Sequence, residues 1–343
     1  MTTDAHAHAR ALAARIAAFK GADDRRAALQ LGGTLLGLAC AWTLTAAAIS
    51  AALWWALPPL WLLAAVMITR LFIMQHDCGH GAFLSQRWLN TAAGRLTSLF
   101  TFTPYGFWRY THNRHHATTG DLDRGGIGDV FTASVEQYNR MTPRDRRRYR
   151  RFRNPITMML IGVPIVFLLR YRTPFFQRVP AARCWRSILG LDLGLIALYG
   201  TALWHLGPAL VLPTVLPALL IATWIGGWMF YMQHQFEHGY WRPHPEWDWY
   251  TASLHGSSYY DLPEWLHWCT GHNGLHHIHH LDSTVPNYRL RACLQAIPEL
   301  ATINRITLRE SLACAHLALW HEAGGRMITF AEADRRGLLV TDG

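Results

Sequence analysis

AALQLGGTLLGLACAWTLTAAAISAALWWALPPLWLLAAVMIT, residues 27–69, contains no Asp, Glu, Lys or Arg. The run is about twice the ~20 residues that one membrane helix needs. Pro58-Pro59 lies inside it, and paired prolines interrupt a helix. The stretch therefore predicts two spans folded as a hairpin, over 31–53 and 57–75. A second run free of those charges, 193–236, is interrupted by Gly207-Pro208 and Pro213. It predicts a second hairpin, 187–206 and 211–233.

A third apolar run, 156–169, is short for a span and reads as interfacial or re-entrant. Basic residues test that reading, because Lys and Arg favour cytoplasmic loops. The links inside the two hairpins, 54–60 and 205–213, carry neither. Three other segments are rich in them. The N-terminal arm has Arg10, Arg15, Lys20, Arg25 and Arg26. Residues 140–153 carry eight arginines, and 170–186 carry Arg170, Arg172, Arg178, Arg183 and Arg186. All three fall on one side only if 156–169 does not cross. The expectation is an all-α integral membrane protein, multi-pass, with both termini cytoplasmic. Four transmembrane helices form two hairpins, with interfacial helices and a cytoplasmic helical cap. One domain covers 1–343: a cytoplasmic arm (1–28), the membrane helices (29–240) with a cytoplasmic insert (76–186), and the cap (241–343). Short helices are expected from Leu281 onward.

Composition agrees. Charged residues make up 16% of the 343, against ~25% in an average soluble domain. The net charge of +10 could serve nucleic acid or an anionic membrane surface. Arginines flanked by apolar segments favour the membrane, so no nucleic-acid partner is expected. Six cysteines show no CxxC spacing and no apolar leader precedes them, so they read as free thiols.

The 20 histidines cluster. Three boxes stand out: HDCGH (76–80), HNRHH (112–116) and HHIHH (276–280). Helix residues three and four apart share a face. His76 and His80 then offer two imidazoles, and His112, His115 and His116 offer three. His276, His279 and His280 offer three more, while His277 falls off that face. The topology brings all three boxes to the cytoplasmic side of the spans, and His234, at the end of the fourth, is a ninth candidate. Imidazole suits zinc, copper, iron and nickel alike. Structural zinc sites are usually four-coordinate and contain cysteine, so nine histidines fit two redox-active irons better. The other histidines read as structural or solvated: His205, His316 and His321 as lone residues, His244, His255 and His267 as structural, His6 and His8 as a solvated tail.

Longer stretches around these boxes carry a resemblance. HDCGHGAF (76–83), HNRHHATTGDLDRGGIGDVFT (112–132), FYMQHQFEHGYW (230–241), GSSYYDLPEWLHW (256–268) and HHIHHLDSTVPNYRL (276–290) resemble the membrane fatty acid desaturase family. The likeness covers roughly residues 30–300 and is nearest to the delta-12 (omega-6) acyl-lipid branch. It implies an O2-dependent di-iron enzyme that places a cis double bond in an acyl chain, here an 18-carbon monoene. The substrate would be a fatty acyl lipid or an acyl thioester, and the site would lie on the cytoplasmic face. Asp77, Glu237 and Asp261 are candidates to orient the imidazoles through their other ring nitrogen. Two positions depart from the family pattern. His272 stands where Asn is usual and, on a helical lead-in, would share a face with His276 as an additional ligand or a partner of metal-bound water. His238 stands where an acidic residue commonly follows Phe-Glu.

No GxGxxG unit, CxxCH haem site or iron–sulfur cysteine array is present. Electrons must then come from an external donor, a ferredoxin or a b-type cytochrome with its reductase. Sister activities share the boxes: hydroxylase, acetylenase, epoxygenase and carotenoid ketolase. A membrane metal transporter or a metal-binding store is the alternative of a different class.

Overall fold

The computed structural model describes residues 2–125, 128–174 and 179–340. Arg178 of the third basic segment, Gly126 and Ile127 after the second box, and 341–343 of the expected cap lie outside the described residues. Among the described residues four helices are long and apolar enough to cross a membrane: Asp24–Ser50, Trp54–His80, Ala181–Leu206 and Pro208–His234. They coincide with the four expected spans but run further at their polar ends. Asp23 extends the first span, its carboxylate accepting the Arg26 N–H as an N-cap. The second runs five residues past its expected end, because nothing stops it before Gly81. That glycine has φ +73° and closes the helix directly after His80.

The prolines behave in two ways. After a short turn, Trp54–Ala56, Pro58-Pro59 fall in the first turn of the α-helix Leu57–His80 and start it rather than break it. Gly207 (φ +78°) does separate the third and fourth spans, but Pro213 does not interrupt, and both it and Pro217 lie inside the fourth helix. Pro217 has no N–H for the Pro213 carbonyl one turn earlier. The Trp61 indole of the second span donates to that carbonyl instead, at 2.8 Å. In an apolar setting such a substitute donor makes the proline tolerable. Leu38, Ala41, Ala64, Ile68, Leu71 and Ala218 lie in the core where the first, second and fourth spans meet.

The short apolar run forms a helical segment, Thr157–Arg172, bent by 77° from the helix Pro143–Phe152 before it. Two findings modify the all-α expectation. Tyr259–Asp261 pairs in parallel with Arg305–Thr307. The C-terminal region holds a hairpin, Leu317–His321 against Arg326–Thr329, joined in parallel by Ala133–Ser134. Gly324-Gly325, with Gly325 at φ +58°, supplies its turn, a signal that the expectation of short helices alone overlooked.

The N-terminal arm is not a solvated tail. Thr2–Ile16 is a helix whose Ala9, Leu12 and Ile16 are buried against Leu254, Ile278 and Leu290. His6 Nδ1 lies 2.9 Å from Asp248, and His8 lies 3.5 Å from Glu299. Ala9, Leu12, Ala13 and Ile16 recur at i, i+3, i+4 and i+7, the spacing of one helix face.

Candidate metal centre

The first box occupies the last turn of the second span, so His76 and His80 project from one face. The second lies on Tyr105–Thr118 and the third on His276–Leu281. His234 is the last residue of the fourth span. These nine imidazoles meet in two groups. His76, His80, His112, His116 and His279 form one; His115, His234, His276 and His280 form the other. Within each group the potential ligand nitrogens lie within 4.8 Å of one another. Each of the second and third boxes splits its three histidines between the groups, which ties the two together. His205, His238, His244, His255, His267, His277, His316 and His321 belong to neither.

Several approaches are closer. His115 Nε2 lies 3.1 Å from that of His234 and 3.2 Å from that of His280. His116 Nε2 is 3.0 Å from that of His112 and 3.1 Å from that of His279. Two nitrogens each ~2.1 Å from one ion would lie at about this separation. His76 Nε2 and His80 Nε2 are buried without a hydrogen-bond partner. Burial, then neighbouring imidazoles, pushes His112, His116, His276, His279 and His280 well below the ordinary histidine range. These rings are therefore neutral and offer lone pairs, as metal ligation requires. The donor set fits two ions with all-nitrogen shells, five and four imidazoles respectively.

The outward nitrogens find acceptors. His76 Nδ1–H donates to Asp77 Oδ1 at 3.1 Å, while Asp77 Oδ2 accepts the Asn287 N–H at 2.7 Å. His115 Nδ1–H donates to Asp129 Oδ1 at 2.6 Å, and His234 Nδ1–H to the Gly256 carbonyl at 3.1 Å. Each fixes a tautomer whose Nε2 faces its group.

Of the three carboxylates expected in this role, only Asp77 occupies it. Glu237 pairs with Arg326 at 2.8 Å, and Asp261 takes Arg305 and the Tyr259 hydroxyl. Neither contacts a box imidazole. Asp129 was missed. It follows Gly128, whose φ is +83° and whose Cβ would lie 2.8 Å from the Thr111 carbonyl. A glycine-flanked acid shortly after a box was the available signal. The helical lead-in expected at His272 is absent. Gly271 and His272 have φ of +55° and +58°, and the third-box helix begins only at His276. The His272 ring stacks on His267, 5.9 Å away, outside both groups. Burial, then His267, pushes it down to about 4.

A cavity of about 220 Å³ adjoins both groups, with His76, His112 and His276 in its wall. Its lining is chiefly apolar, including Ile68, Phe72, Val163, Val166 and Leu219. Trp108 lies in the wall and stacks on His112 at 4.5 Å; Phe230 lies 5.3 Å from both His115 and His234.

A family model described as fatty acid desaturase matches residues 17–311. A Bacillus subtilis protein named fatty acid desaturase is 35% identical over 96% of this chain and 93% of its own length. A Synechocystis protein named sn-1 oleoyl-lipid 12-desaturase is 25% identical, covering 72% of this chain and 69% of its own. Another from that organism, named sn-1 acyl-lipid omega-3 desaturase (ferredoxin), is 28% identical over 71% and 68%.

Proposed function

Since the chain belongs to the fatty acid desaturase family of membrane oxidoreductases, we propose that it is a di-iron acyl-lipid desaturase acting at the 12-position of an 18-carbon monoenoic chain. The observation that carries this reading is the pair of imidazole groups beside one apolar cavity. His76, His80, His112, His116 and His279 would hold one iron, and His115, His234, His276 and His280 the other. Iron bound there supplies the O2-dependent removal of two hydrogens from adjacent methylenes, chemistry that no side chain can perform.

The chain's own residues do the rest. The apolar wall binds an alkyl chain and excludes water from it. Trp108 and Phe230 hold the ligand rings from the cavity side, while Asp77, Asp129 and the Gly256 carbonyl hold them from behind. The two groups would differ by one protein ligand, four imidazoles against five. Electrons come from a ferredoxin or a b-type cytochrome with its reductase; a relative's name includes ferredoxin. The clustering of basic segments supports a cytoplasmic site and a single domain in which two hairpins carry a cytoplasmic cap. The 12-position rests on the named oleoyl-lipid 12-desaturases among the relatives.

Expression in a host that makes monoenes but no dienes, with a ferredoxin supplied, is the test. The 9,12-diene is the expected product. A hydroxy or acetylenic acid as the main product moves the chain to a sister activity, and new monoenes from saturated chains move it to another regiochemistry. One firmly bound zinc and no iron, after growth in iron-replete medium, overturns the metal assignment.

A further inference from the structure

The helix Pro143–Phe152 has two unlike faces. Arg146, Tyr149 and the following Arg153 are buried. Arg144, Arg147, Arg148 and Arg151 are all exposed, and together they line a shallow surface groove. Their spacing of three, four and seven residues puts them on one stripe, within about 10 Å along the axis. Among the described residues none of these four has an acidic partner, whereas Arg150, between the faces, pairs with Asp334. The helix's one acid, Asp145, is bonded to Thr142. Four unpaired guanidinium groups so close together repel one another, an arrangement that an anionic ligand relieves.

The chain that follows indicates which anion. Phe152, Ile156, Leu160, Ile161, Ile165 and Leu169 are exposed large apolar residues. Such a stripe belongs in hydrocarbon, which places the arginine helix, bent by 77° from this segment, at headgroup depth. Met158, Val163, Val166 and Tyr171 of the same segment line the cavity. One segment thus separates cavity from lipid, and Phe152, beside Arg151, lies in the cavity wall.

We propose that the Arg144–Arg147–Arg148–Arg151 stripe binds the phosphate of an anionic glycerophospholipid and thereby selects the acyl carrier presented to the cavity. The proposal rests on the reading that the enzyme acts on membrane acyl chains. The carrier is then a glycerolipid with a net negative headgroup, taken from the bilayer.

Native mass spectrometry of the full-length protein, titrated with phosphatidylglycerol and phosphatidylcholine, tests it without requiring turnover. The wild type should retain phosphatidylglycerol preferentially. Basic residues near an anionic surface contribute about five-fold each. Replacing all four by Gln should reduce the preference at least about ten-fold, and replacing all four by Lys should keep most of it. Gln, Lys and Arg have similar helix propensity, so both variants should fold, which circular dichroism verifies. An unchanged preference in the Gln variant overturns the proposal. So does release of the lipid by millimolar inorganic phosphate, which would mark a soluble-anion site. Loss of affinity for an acidic ferredoxin with lipid preference intact would mark a protein-docking face instead. Lipid selection that follows the arginines in a chain making no desaturated product would sink the proposed function but not this site.

Discussion

Asp129→Ala is the most informative single change. Its carboxylate and the His115 imidazole meet at 2.6 Å with almost no solvent exposure on either side chain. A hydrogen bond to a charged group contributes roughly 1.5–3 kcal/mol. Loss of an outer partner of a metal-bound histidine typically lowers metal affinity about 10–100-fold, which is about 1.4–2.7 kcal/mol. The two ranges agree, so most of the bond's value should appear as metal affinity. His115 belongs to the four-imidazole group, so that group alone should weaken. After a timed chelator challenge, iron per chain should fall from two toward one, as measured by elemental analysis, with the Mössbauer signal of one iron environment retained. Asp129→Asn keeps an acceptor but loses the charge and should lie between. Two irons with wild-type chelator resistance in Asp129→Ala would refute the assignment of Asp129 and the division of ligands on which it rests.

Four other outcomes follow from the same geometry. Asp77→Asn should weaken the five-imidazole group instead, leaving the complementary iron signal. Replacing any of the nine ligands by Ala should abolish product formation, whereas His205→Ala and His321→Ala should keep most of it, as lipid profiling reads. Reporters fused after residues 155 and 245 should read cytoplasmic and those after 57 and 209 external; opposite readings at 155 and 174 would make Thr157–Arg172 a fifth span. His272 is held neutral by burial, with its folded pKa depressed to about 4. The folded state therefore binds fewer protons than the unfolded one between pH ~6.5 and ~4, and stability falls as pH falls through that window. His272→Asn should flatten this part of the thermal-stability profile without altering iron content or products.

The spans and the clustered histidines were legible because each is a local pattern. An uncharged run declares a span whatever packs against it, and His112, His115 and His116 share a face on any helix. The boundaries were less legible, since a hydropathy argument stops at the lipid edge. The second helix continues through Gln75, His76 and Asp77 until Gly81 permits a left-handed turn. The residues behind the ligands depend on tertiary contacts. Glu237 and Asp261 lie near boxes in sequence, yet arginines from distant segments hold them; Asp129 reaches His115 because a loop folds back. His272 illustrates the same limit, since an assumed helix aimed it at the centre and a left-handed turn aims it at His267.

The docked N-terminal helix has a consequence for biosynthesis. Its partners are distant in sequence: Asp248 lies 242 residues after His6, and Glu299 lies 284 after Arg15. At ~5–20 residues per second, the ribosome finishes the segment beneath this helix many seconds after the helix itself has emerged. During that interval Ala9, Leu12 and Ile16 lack the surface that covers them in the folded chain. The third box, also made late, completes both imidazole groups. Closure by the first helix and completion of both imidazole groups thus await the same stretch, residues 248–300, so a nascent chain stalled before residue 276 would present its earlier histidines without a finished cage.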